Sequence, residues 1–243
     1  MENSERQIPF YGTTFPQQES TGMLAEEIAD YINETSLSTI RNDLEKIQEL
    51  MSCYRCAILE VETKFRVLNE RFSLLHERNP IDSIKTRLKS PASIREKLMK
   101  KNLPVTLNSI EEELNDVAGI KVICPFIDDI YMLADCLLQQ DDIRLIKRKD
   151  YIKDPKLNGY RSLHLIVEIP IFLQNEKRLM KVEVQLRTIA MEFWANLEHQ
   201  LRYKKDLPKD TMLITSSELS QCAEMSALLD RKMQKVRDMI ENS

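Results

Sequence analysis

In the segment KVEVQLR, Lys181, Glu183, Gln185 and Arg187 alternate with Val182, Val184 and Leu186. Side chains alternate across a strand, so this segment as a strand would have one apolar face and one ionic face. In YRSLHLIVE, Tyr160, Ser162 and His164 share a face in the same way. If these strands are neighbours with matching faces, Glu183 and Gln185 lie near Tyr160 and His164. Asp116 then approaches at the head of the apolar run IKVIC. Two carboxylates converging among lysines and arginines is the arrangement that holds Mg²⁺ on a nucleoside triphosphate. A solvated antiparallel face has the same spacing, so both readings stay open.

The cations fall in two stretches. Lys85, Arg87, Lys89, Arg95, Lys97, Lys100 and Lys101 are opposed only by Glu96, and Arg144, Lys147, Arg148, Lys149, Lys153, Lys156 and Arg161 are interrupted only by Asp150 and Asp154. On a chain of net charge -4 these are either focused anion sites or two solvated faces. Gly119 and Gly159 each stand in a polar cluster at the start of a strand, where the backbone either turns or closely approaches a ligand. Other chemistries lack support. Cys53-x-x-Cys56 has no second pair and reads as helix packing rather than a zinc site. His76, His164 and His199 are scattered and none precedes an aspartate, so no His-Asp phosphohydrolase centre is expected. No G-x-G-x-x-G, Walker A or nucleophile-elbow sequence occurs.

The elements that must position these groups follow from periodicity. From Ile40 to Leu75 apolar residues recur at alternating spacings of four and three, one long amphipathic helix stopped at Asn79-Pro80. Ser90-Pro91 opens a helix that carries Ser93 and Lys97 on one face. A short helix is predicted over Thr106 to Leu114, a buried strand over Ile120 to Cys124 and a helix over Ile127 to Leu138. Strands are predicted over Arg144 to Lys147, Tyr160 to Ile169 and Arg178 to Thr188, the last two joined through a Pro170-containing connection. A helix with Trp194 in a core follows over Ile189 to Tyr203, broken at Pro208, and Leu219, Cys222, Leu229, Met233, Val236 and Ile240 mark a final amphipathic helix. Interleaved strands and helices give an α/β or α+β fold. The expected division is 1–35 as an extension, flexible at its start, 36–208 as the main domain including the long N-terminal helix, and 209–243 as the C-terminal helix.

The chain has 243 residues, 42% hydrophobic and 30% charged, the proportions of a soluble globular protein. No run approaches 18 apolar residues and the N-terminus lacks a basic and apolar leader pattern, so the expected location is cytoplasmic, with no membrane partner. Five cysteines in a chain this long make reduced thiols the expectation.

Taken in order, TRLKSPASIREKLMKK, NDVAGIKVIC, KDYIK, LNGYRSLHL and VEVQLRTIAMEFWANLEH resemble the synthetase domain of the RelA/SpoT homologues. The likeness is greatest to the single-domain small alarmone synthetases of the RelP type and covers about residues 60 to 240. It implies a nucleotidyltransferase-like mixed sheet flanked by helices. It also implies a GTP pyrophosphokinase, which moves pyrophosphate from ATP to the 3′-hydroxyl of GDP or GTP and leaves AMP, making the alarmones of the stringent response without hydrolysing them. By the same resemblance Asp116 and Glu183 hold Mg²⁺, with Glu183 also receiving the proton of the attacking hydroxyl. Arg87, Lys89, Ser93, Lys97, Lys100 and Lys121 bind ATP. Tyr160 stacks on guanine, with Lys149, Lys156, Asn158, His164 and Gln185 around the acceptor nucleotide. A homo-oligomer, by resemblance a tetramer, is implied.

Two positions depart from relatives. Lys121 stands where many have an arginine that stacks on adenine, and lysine lacks the planar guanidinium; weaker ATP binding is the expectation. Ser83 and Glu192 replace an aromatic and an amide where the product binds and stimulates the RelQ type. The added charge of Glu192 is expected to repel an alarmone there. Two rivals remain, a single-stranded RNA-binding module with Tyr160 as its platform and a degenerate synthetase that sequesters nucleotides. RNA binding needs neither Asp116 nor Glu183.

Overall fold

The computed structural model describes residues 37–76, 78–202 and 209–242. The expected extension over 1–35 and the break at Pro208 lie outside the described residues, as does the side chain of His76. Contacts divide the chain into residues 1–48 and 49–243. Of the first unit only the beginning of α1 (Leu37–His76) is described. Within the second unit α1 buries Leu50, Tyr54, Ala57, Ile58, Val61 and Phe65, the three-and-four spacing that makes its stripe.

The second unit contains a five-stranded sheet ordered β1-β2-β5-β4-β3. Its strands are β1 (Ser83–Leu88), β2 (Ala118–Cys124), β3 (Arg144–Asp150), β4 (Leu163–Phe172) and β5 (Lys177–Thr188). Only β2 and β5 run parallel, so the sheet is mixed. Helix α2 (Pro91–Lys100) is capped by Ser90 and α3 (Leu107–Glu113) by Thr106. Helix α4 (Ile127–Leu138) packs Ile130, Leu133, Ala134 and Leu137, all fully buried, against β2 and β5. Helix α5 (Ile189–Arg202) rests on the same two strands, and α6 (Lys209–Glu241) packs on α5 and α4.

Register is what places the site. Val182, Val184 and Leu186 are fully buried, worth about 1.5 to 3 kcal/mol for each large side chain. A slip of one residue would put Glu183, Gln185 and Arg187 in the core instead, so the apolar face locks the ionic one.

Four local expectations need correction. The segment SIKTRL is a strand not expected from the sequence; two of its six residues are charged, and as an edge strand it pairs only with β2. Strand β3 runs on to Asp150 past a register shift between Leu145 and Lys147. Tyr160 to Ser162 precede β4 rather than begin it, because Gly159 adopts φ 86° in a turn whose N–H donates to the Lys156 carbonyl at 2.7 Å. Pro170 lies inside β4, opposite Leu179. The β3 ladder ends at Arg144 and Glu168, so the missing N–H breaks no bond on that side.

Candidate active site

One face of the sheet carries two ionic rows. Lys85, Lys121, Gln185, His164 and Lys149 lie in register across all five strands, and Arg87, Gly119, Glu183, Ile166 and Lys147 form the next row. Cations therefore occupy both edges, with Glu183 on the central strand. Gly119 leaves the floor open between Arg87 and Glu183; an added Cβ would meet only the Arg87 carbonyl oxygen, at 3.7 Å.

Asp116 precedes β2. Its Oδ2 accepts from Lys89 Nζ at 2.9 Å and Lys97 Nζ at 2.6 Å, while its Oδ1 is buried without a hydrogen-bond partner. Burial pushes the Asp116 carboxyl up, but the ammonium groups of Lys97 and Lys89 outweigh it and hold the carboxyl below the usual range. Glu183 accepts from Gln185 Nε2 at 2.9 Å and faces His164 Nδ1 at 3.3 Å. Burial again opposes ionisation, His164 and Gln185 override it, and the charge of Asp116 is felt as a small push upward. Both acids are anionic near neutral pH.

Glu183 is also one corner of a closed ring. Arg187 Nη2 donates to the Tyr160 hydroxyl at 2.5 Å, which lies 2.8 Å from His164 Nε2, and the same Nη2 donates to Gln185 Oε1 at 3.1 Å. With the proton of His164 assigned to Nδ1, every bond in the ring runs from Arg187 towards Glu183. Burial keeps the Tyr160 phenol above its ordinary range against the pull of Arg187, so the hydroxyl stays a donor.

Two cavities open on this face. One, of about 160 Å³, is lined by Lys97, Lys101, Asn115, Lys147, Lys149 and His164. The other, of about 100 Å³, is lined by Lys85, Arg87, Lys89, Gly119, Lys121 and Gln185. Asp116 and Glu183 line both, so the two acids stand where two cationic chambers meet.

The sequence-predicted residues distribute unevenly. Arg87, Lys89 and Lys121 line the smaller cavity, together with Gln185, which was expected on the acceptor side. Lys149 and His164 line the larger, together with Lys97, which was expected on the ATP side. Ser93 sits in the first turn of α2, where its N–H and Oγ bond the capping Ser90, outside both linings. Lys100 pairs with Glu96 on the exposed side of α2, 73% accessible. Lys156, Asn158 and Tyr160 form a cluster beside His164. The Lys156 ammonium lies 4.7 Å from the Tyr160 ring centroid, and Asn158 Oδ1 accepts from the Tyr160 N–H at 3.2 Å.

Three participants were named in the sequence but given no place in this site. Lys85, Arg187 and Glu192 look like surface residues of a strand or helix, but Arg187 and Glu192 are 6% and 5% exposed. Glu192 accepts from Arg187 at 2.7 Å, Lys121 at 2.8 Å and Lys85 at 3.3 Å. Burial opposes its charge, yet Lys121 and Arg187 bring its carboxyl down to about 2. Glu192, expected to repel an alarmone, has its charge matched here by three cations. Its placement among Met191, Trp194 and Ala195, all buried, was the available signal.

The donor set suits a magnesium ion. Among the described residues no three His, Cys, Asp or Glu side chains group as a protein-only cage. Mg²⁺ takes one or two carboxylates and completes its shell with phosphate and water. Asp116 Oδ1, buried and without a partner, and the anionic Glu183 match that requirement.

Comparison with known proteins shows what the whole chain is similar to. A family model described as "Region found in RelA / SpoT proteins" matches residues 86–207. The GTP pyrophosphokinase YwaC of Bacillus subtilis is 41% identical over 209 residues, 85% of this chain and 98% of that protein. The crystal structure of small alarmone synthetase 2 from Bacillus subtilis superposes with a TM-score of 0.70 at 41% identity, over 79% of this chain and 98% of that one. Small alarmone synthetase 1 from the same organism, bound to its product pppGpp, gives 0.72 at 31% identity, over 81% and 98%.

Proposed function

The chain belongs to the RelA/SpoT family, and from that premise we propose a GTP pyrophosphokinase that moves pyrophosphate from ATP to the 3′-hydroxyl of GDP or GTP. The observation that carries this reading is the pair of cationic cavities sharing Asp116 and Glu183. The smaller serves as the donor site, where Lys85, Arg87, Lys89 and Lys121 face the triphosphate. The larger serves as the acceptor site, where Lys149 and His164 face the guanosine nucleotide, with Tyr160 beside them.

The 3′-oxygen forms a bond to the β-phosphorus of ATP, the bond from that phosphorus to the α,β-bridging oxygen breaks, and AMP leaves. Glu183 receives the proton of the attacking hydroxyl. Asp116 and Glu183 would hold Mg²⁺, which supplies neutralisation of charge on the phosphate oxygens. Lys89 and Lys97, already turned to the site by Asp116, stabilise the charge that spreads over the transferred group. Fixing both nucleotides at one junction supplies the positional part of the acceleration.

This reading includes synthesis without hydrolysis, and self-association. On α6, Met225, Leu229, Met233, Val236 and Ile240 are each about half exposed or more, an apolar stripe that a second copy would cover. Sedimentation should give a multiple of 28.5 kDa, and a monomer at every concentration would refute that part. The test of the activity uses ATP labelled in its γ-phosphate with GDP and Mg²⁺. The label should appear in the guanosine nucleotide, with AMP formed in equal amount; label released as inorganic phosphate would refute transfer.

A further inference from the structure

Glu192 touches neither cavity, yet it is the buried meeting point of cations that serve both. On one side it accepts from Lys121 Nζ at 2.8 Å and Lys85 Nζ at 3.3 Å, two lysines of the smaller cavity. On the other side it accepts from Arg187 Nη1 at 2.7 Å. Arg187 Nη2 then feeds the ring through the Tyr160 hydroxyl and the Gln185 amide to Glu183. The fourth bond to the carboxylate, from Asn196 Nδ2 at 3.2 Å, comes from the same helix one turn on.

The placement is demanding. A carboxylate this buried is retained only with its charges and hydrogen bonds matched. Among the described residues Arg187 Nε has no partner, so the orientation of the guanidinium rests on its Nη contacts, and of those Glu192 is the anion. Without that anion Arg187 would be a buried cation facing a phenol and an amide. Lys121 would be free to swing from the cavity wall.

We propose that Glu192 is a positioning residue for both substrates: it fixes Lys121 for the donor nucleotide and, through Arg187, fixes Tyr160 and the Glu183 ring for the acceptor. This rests on reading the two cavities as donor and acceptor sites. No group of Glu192 reaches a nucleotide; it acts through the residues it holds. The residue thereby ties the geometry of one pocket to that of the other.

The test measures equilibrium binding of a non-hydrolysable ATP analogue and of GDP, beside KM and kcat, in four proteins with melting temperatures recorded. Native protein that binds both nucleotides but makes no product would remove the functional reading itself. With an active native enzyme, Glu192→Gln should weaken both nucleotides at least fivefold, whereas Lys121→Met should weaken only the ATP analogue. The double variant should bind the ATP analogue no worse than Glu192→Gln alone, because the two share one pathway. Additive losses on the ATP side, or GDP binding unchanged in folded Glu192→Gln, would overturn the proposal. If Glu192→Gln does not fold, Glu192→Asp keeps the charge but withdraws it by one methylene. It should weaken both nucleotides at least threefold, and native affinity for either would overturn the proposal.

Discussion

Asp116 and Glu183 differ in how they are held, and that difference sets what substitution does. Asp116 keeps two lysines aimed at the site, so Asp116→Asn both weakens a cation site and releases Lys89 and Lys97. Glu183→Gln removes the proton acceptor and, with one oxygen in place of two, leaves either His164 or Gln185 without its acceptor. Each should lower kcat by about 100-fold or more, the usual size of losing one transition-state group, with the melting temperature little changed; a loss below tenfold in either would contradict the roles given. Lys121→Arg retains the ion pair to Glu192 and adds a planar face, so the KM for ATP should fall about two- to fivefold, by the size of an exposed cation–π contact. An unchanged KM would contradict that. Glu192 also has a pH signature. Its carboxyl stands at about 2 in the folded chain against an ordinary 4.5, so its contribution, roughly 3 kcal/mol, is present above pH 4.5 and disappears as pH falls towards 2. Melting temperatures from pH 6 to pH 2.5 should drop more steeply in native protein than in Glu192→Gln. Parallel curves would contradict it. The acids of the site were legible because strand alternation marks an ionic face. Glu192 was less so: its apolar neighbours Met191, Trp194 and Ala195 mark a buried position, but a helical pattern does not show that Lys85 and Lys121, far away in sequence, reach it.

At the level of elements, the turn carrying Tyr160 is positioned by the C-terminal helix. Gly159 has φ 86°, and a Cβ there would lie 2.4 Å from the Ala223 Cβ on α6. Arg161 pins the same turn to the Ala223 carbonyl at 3.3 Å and to Glu224 at 2.7 Å. Trp194 Nε1 donates to the Leu219 carbonyl at 2.9 Å, and Tyr160 packs against the cluster of Trp194, Ala195 and Ala223. Gly159→Ala meets both the left-handed backbone penalty, about 1 to 2 kcal/mol, and the contact with α6. It should raise the KM for GDP at least tenfold and leave that for ATP within twofold. Adding Ala223→Gly should restore part of the loss, since only the steric share is relieved. Equal effects on both nucleotides would contradict this positioning. The long helices and α4 were readable because three-and-four spacing persists over many turns. Strand β1 was hidden by its charge, and Pro170 read as a break because the sequence does not show that β3 stops two residues earlier.

For the molecule as a whole, the mixed sheet brings four separated segments, 85–97, 116–121, 147–164 and 183–187, onto one face, and it is register rather than proximity in sequence that does so. Both cationic stretches were visible as excess charge, but the cavity linings do not divide between them: Lys97 and Lys101 of the first stretch line the larger cavity beside Lys147 and Lys149 of the second. What no one-dimensional pattern contained was the junction: two cavities whose linings overlap at Asp116 and Glu183. Reaction at that junction is checked by measuring AMP and guanosine 3′-diphosphate product from ATP, GDP and Mg²⁺ in native protein and Glu183→Gln side by side, with binding of both nucleotides followed in each. Product in equal amounts with AMP from the native protein alone, while the variant still binds both nucleotides, is the expected result. Equal product from the two proteins, or none from a native protein that binds both nucleotides, would contradict it.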